Sequence, residues 1–123
     1  MAPDLTIMFW YLIVLLLQTI HIFEEIGMGA YRLAGSLQKY VMVAAVLVSV
    51  NYAGAILLVS GFSAGYYPGL LAAVMAILNG LIHLVGFLNS GTYKDSIGAG
   101  VFSGVLLAAS GIVLLYQLLP VIL

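Results

Sequence analysis

The chain has 123 residues, of which 65 % are hydrophobic and only 6 % charged, and its mean hydropathy is +1.27. That balance leaves no material for a soluble domain and points to an integral membrane protein. A net charge of −1 without a basic cluster gives no reason to expect nucleic acid as a partner or strong binding to anionic lipid, and the absence of cysteine leaves only nitrogen and oxygen to hold a metal.

Four apolar stretches each approach the ~20 residues that a helix needs to cross the hydrocarbon core. They are too long and continuous for barrel strands of ~10 residues with alternating polarity. The expected fold is all-α: a single domain over residues 1–123 in which four transmembrane helices form a bundle.

The first helix is expected over about 6–28. No basic n-region precedes it and it is too long for a signal-peptide h-region, so it is expected to stay in the mature chain. It carries Gln18, His21, Glu24 and Glu25 at spacings that bring side chains onto one side of a helix. Ionisable groups at such depth lose their hydration unless they turn toward a partner, a cavity or a metal, so they mark a functional site. Glu25 lies ~40° from His21 around the helix and Glu24 ~60°, a slight preference for Glu25 as the pocket carboxylate. Its neighbour is then left to meet Arg32 or water.

The second helix is expected over about 39–62, with Asn51 and Tyr52 mid-span as hydrogen-bonding packing groups. The third, about 68–89, begins with Pro68 at an early helical position and bears the stripe Asn79, Gly80, His83 and Gly86. The fourth, about 98–122, contains Gly100, Gly104 and Gly111 with Ser103 and Ser110, a pattern of close helix packing. Trp10, Tyr66, Tyr67 and Tyr116 suit the interfacial aromatic belt. The three basic side chains, Arg32, Lys39 and Lys94, fall in or beside the connections after helices one and three. The positive-inside tendency places those connections in the cytoplasm and both termini on the opposite side.

An offset of 62 residues aligns Thr19 to Arg32 with Leu81 to Lys94, pairing His21 with His83, Gly29 with Gly91, Tyr31 with Tyr93 and Arg32 with Lys94. A duplication would make the bundle two related hairpins about an axis along the membrane normal. Glu24 then pairs with Gly86, a carboxylate opposite space, which suits a cavity. Independently of any repeat, His21 and His83 each lie ~6 Å past the middle of helices that run in one direction, so the imidazoles are level.

Several chemistries are open to this set. His21, His83 and Glu25 can bind a divalent metal such as zinc or iron and leave a position for water, with Glu24 or Glu25 as the catalytic carboxylate and Asn79 and Gln18 orienting a ligand. Paired haem ligation by the two histidines is disfavoured by the carboxylates and the small bundle. Without metal, a carboxylate and a histidine can exchange protons with a substrate, or carry them as a small proton-coupled transporter, expected as a dimer. The polar groups can also simply clamp helices one and three together. Two adjacent carboxylates argue against the clamp, because an amide or hydroxyl serves at lower desolvation cost.

His21-Ile-Phe-Glu24-Glu25 followed by Asn79-Gly-Leu-Ile-His83 resembles the HXXEE family of small bacterial membrane proteins, which pairs HxxEE with NxxxH. The resemblance covers most of the chain and implies that these five residues belong to one site in the bacterial inner membrane. The family's function is not established; its motifs suggest a membrane-embedded enzyme. The family's YxPG element after NxxxH is replaced here by Tyr93-Lys94-Asp95-Ser96. The leading expectation is a metal-dependent enzyme acting on an apolar or lipidic substrate. The rival is a non-catalytic subunit of a larger membrane complex.

Overall fold

The computed structural model describes residues 4–123, and every regular element in it is helical. Four long helices, α1 (Leu5–Met28), α2 (Leu37–Val59), α3 (Tyr66–Ser90) and α4 (Val101–Ile122), form a four-helix bundle, and each is long and apolar enough to cross a membrane. Short 3-10 turns at Ala30–Ala34 and Ser63–Gly65 join the first three.

Local chemistry sets the helix ends. The Asp4 carboxylate accepts from the Thr6 and Ile7 amides at 2.8 and 3.4 Å, and Ser36 caps α2 by accepting from the Lys39 amide at 3.2 Å. Helices α1 and α3 both stop at a left-handed glycine, Gly29 (φ 85°) and Gly91 (φ 63°). Helix α2 ends three residues before the expected Phe62, where the chain turns at Ser60 and Gly61. Helix α3 starts two residues ahead of Pro68, a position at which proline's missing amide costs nothing.

The core runs along α1, α3 and α4 through Ile7, Tyr11, Leu15, Ala73, Leu107 and Leu114, while Phe9, Leu16, Phe23, Leu88, Phe102 and Leu106 point outward. An apolar outside around a small-residue inside is what a lipid solvent demands. Glycines bring α3 and α4 together: a methyl group on Gly80 would collide with the Gly104 carbonyl, and one on Gly111 would lie 2.9 Å from the Ala73 carbonyl.

Helix α2 is seated differently along its length. All its buried residues, Asn51, Gly54, Ala55 and Leu58, lie in the second half. There Gly54 meets Pro68 and the Tyr11 hydroxyl, and Leu58 packs on Gly65. The first half, from Leu37 to Val50, contains no buried residue and leaves a wedge against α1 and α3.

Candidate metal centre

The wedge ends on the ionisable residues. His21 and Glu25 from α1 and His83 from α3 are buried, and one ligand atom from each lies within 4.8 Å of the others. Glu25 Oε1 is 2.9 Å from His83 Nε2, and Glu25 Oε2 is 3.7 Å from His21 Nε2. The imidazoles meet edge to face, with ring centroids 4.8 Å apart.

Hydrogen bonds behind the imidazoles determine which nitrogens face this cluster. His83 Nδ1 lies 2.6 Å from the Ile97 carbonyl oxygen, which can only accept, so Nδ1 carries the hydrogen. His21 Nδ1 lies 2.9 Å from Ser103 Oγ, whose own hydrogen is given to Glu24; the serine therefore accepts, and His21 Nδ1 also carries the hydrogen. With both rings neutral, each Nε2 lone pair lies on the Glu25 side, 2.9 Å (His83) and 3.7 Å (His21) from its oxygens. Ring nitrogens oriented by a carbonyl or by a relayed carboxylate are the arrangement that supports metal ligation.

A bare lone pair facing a carboxylate is unfavourable without a cation between them. One proton on His83 Nε2 would satisfy the 2.9 Å contact, but His21 Nε2 would still be left buried with no partner. A single divalent ion satisfies both. Tetrahedral bonds of about 2.0–2.2 Å place ligand atoms about 3.3–3.6 Å apart; the 2.9 and 3.7 Å contacts are made by different Glu25 oxygens and the three ligand atoms lie within 4.8 Å of one another, so the side chains would draw in on an ion. The donor set, two imidazole nitrogens and a carboxylate with one buried nitrogen unpartnered, fits a divalent metal ion in its chemistry.

Glu24 does not join the cluster. It turns to α4, where its Oε2 accepts from the Ser103 amide at 2.9 Å and from the Ser103 hydroxyl, and its Oε1 accepts from the Tyr93 hydroxyl at 2.5 Å. Burial, and then this hydrogen bond, push the Tyr93 phenol up to about 12, so it remains a donor at physiological pH. Helix α4 has no capping side chain of its own, so Glu24 caps it from another helix, where the N-terminal dipole favours an anion. Arg32, considered as the partner of the second carboxylate, instead pairs with Asp95 at 3.2 Å.

Gly86 does not supply open space either. Its surface is covered by Ile97, the residue whose carbonyl orients His83. The glycine pair at 100 and 104 makes room for a ring: a methyl group on Gly100 would sit 2.8 Å from His21 Cε1, and one on Gly104 3.4 Å from the same atom. Gly100 also adopts φ 96°, which keeps it outside α4 and shortens that helix relative to the expected start near Gly98.

Beside the cluster opens a cavity of about 560 Å3 between α1, α2 and α3, within the ~300–1,000 Å3 usual for ligand sites. His21, Glu25, Gln18 and Asn79 line it. Asn79 and Gln18 lie about one helical turn, roughly 4.5–6 Å, further from the Lys39 end than the two histidines. Gln18 accepts from the Asn51 amide at 3.0 Å, and Tyr11 donates to the Asn51 carbonyl at 2.8 Å, so Asn51 ties α1 to α2.

Two contributors escape sequence reasoning. Tyr40 donates its hydroxyl to Glu25 and lines the cavity, and Ser103 connects Glu24 to His21. Ser103 stood among the residues read as helix packing. Tyr40 carries no signal beyond a phenol next to a lysine at a helix start.

No family model, curated protein or solved structure matches this chain.

Proposed function

We propose that the chain is a membrane-embedded, metal-dependent enzyme of the HXXEE type, in which His21, Glu25 and His83 hold one divalent ion such as zinc or iron and an apolar or lipidic substrate occupies the adjoining cavity. The observation that carries this reading is the buried His21 Nε2, which lacks a partner and shares with His83 Nε2 a single carboxylate.

When bound, such an ion supplies Lewis acidity or activates water at neutral pH. The chain's own groups do the rest. Ser103 and the Ile97 carbonyl hold the imidazoles in the ligating tautomer. Tyr40 donates its hydroxyl to one Glu25 oxygen and stands at the cavity wall, where it holds that carboxylate in place and can accept a hydrogen bond from a substrate hydroxyl. Asn79 and Gln18 offer amide groups that orient a carbonyl or hydroxyl, and the apolar walls limit water at the reacting bond.

The test is metal analysis of protein purified in detergent and reloaded with zinc or iron(II). About one ion per chain is expected, with its loss in both His21→Ala and His83→Ala. Zero retained metal in the wild type, or equal metal in all three proteins, would overturn the reading. Co-purification of one larger partner at fixed ratio with metal-free wild type and both variants would favour the accessory-subunit role instead.

A further inference from the structure

We infer that the wedge under the first half of α2 is a lateral binding site for a single-chain anionic amphiphile, taken from the leaflet that contains Lys39. The inference rests on the enzyme reading only for the ligand's fate; the binding itself follows from the shape and chemistry of the wedge. Helix α2 is pinned at one end, where Gly54 and Leu58 pack against Pro68, Tyr11 and Gly65, and nothing between Leu37 and Val50 is buried. The cavity reaches the exposed first half of α2 and Lys39, so in a bilayer a hydrocarbon chain would enter it sideways without crossing water.

The lining changes character along its length. Lys39 stands at the mouth, the cation where an anionic headgroup resides. Next come Tyr40, Glu25 and His21 at the level where a headgroup meets its chain. Beyond them the walls are mostly apolar, Val43, Leu47, Met75, Ala76 and Leu107, with the amides of Gln18 and Asn79 set among them. The two methionines of the lining, Met42 and Met75, are flexible and suit an unbranched chain better than a rigid ring. A cavity of about 560 Å3 accommodates one tail rather than the two of a bulk phospholipid, and the headgroup places its linkage beside His21 and Glu25.

The probe is hexadecanoic acid bearing a mid-chain diazirine, photolysed with the protein in nanodiscs of uncharged lipid and mapped by mass spectrometry, with the corresponding hexadecanol as the uncharged comparison. Adducts are expected to concentrate on the segments from Met42 to Leu47 and at Met75, several-fold above the lipid-facing Leu106 and Ile112 of α4. Val43→Trp, which fills the wedge, should lower them about fivefold or more. Lys39→Gln should weaken labelling by the acid several-fold and leave the alcohol unchanged. Equal labelling of Met75 and Leu106, indifference to Val43→Trp, equal effects of Lys39→Gln on both probes, or linkage of the wedge to a second copy of the chain would each overturn the inference. Metal analysis of the same wild-type preparation separates the two claims: wedge adducts in wild-type protein that retains no metal would leave this inference standing while the metal reading falls, and metal retained without wedge adducts would do the reverse.

Discussion

Glu24 and Glu25 differ by one position in the chain and by function in the fold. A step of about 100° around α1 sends Glu25 to the two imidazoles and Glu24 to the first turn of α4. The two neutralising substitutions should therefore separate. Glu25→Gln is expected to remove a ligand and abolish metal retention while leaving the bundle folded. Glu24→Ala is expected to cost about 1–2 kcal/mol of stability through loss of the α4 cap, read as a lower thermal midpoint in detergent. Ser103→Ala keeps every candidate ligand but removes the group that orients His21, so metal affinity should fall about 10–100-fold in a chelator competition. An unchanged affinity would show that the His21 tautomer is set elsewhere.

At the level of the helices, glycine decides where elements touch. The Gly100 and Gly104 pair reads in sequence as a packing motif, and what it admits is an imidazole from α1 alongside the α3 backbone at Gly80. Gly100→Ala places a methyl group 2.8 Å from His21 Cε1 at a φ of 96°, so both sterics and backbone oppose it. We expect a loss of about 1–3 kcal/mol in stability together with weaker metal binding, measured by thermal unfolding and by the same competition. Gly35 is the matched control, since its left-handed φ of 91° comes with open space around it. Gly35→Ala should lower stability without affecting metal. The uneven seating of α2 belongs to this level too: glycine and alanine in its second half allow close approach, whereas the first half presents Val41, Val46 and Val50 outward.

Taken as a whole, the molecule is a solvent-inverted bundle, apolar outside with its polar groups drawn toward one end. The basic residues lie at that same end, which gives a clean topology test because the chain has no cysteine to interfere. Single-cysteine variants Lys94→Cys and Leu123→Cys, challenged with a membrane-impermeant maleimide in inside-out and right-side-out vesicles, should label from opposite sides, Lys94→Cys from the cytoplasm. Labelling of both from one side would mean an even number of crossings between them, and so that α4 does not span the membrane.

The class, the four spans and the membership of His21, Glu25, Asn79 and His83 in one region were legible in the chain itself, because hydropathy and helical period act locally and a buried charge is expensive wherever it sits. What the residues meet was not. Only the folded structure assigns Glu24 to an α4 cap, fills the space at Gly86 with Ile97, brings Tyr40 to Glu25 and opens the wedge under α2. Each of these depends on contacts between segments far apart in sequence, and the angle at which one helix crosses another is set by side-chain volumes on both, which no single segment contains.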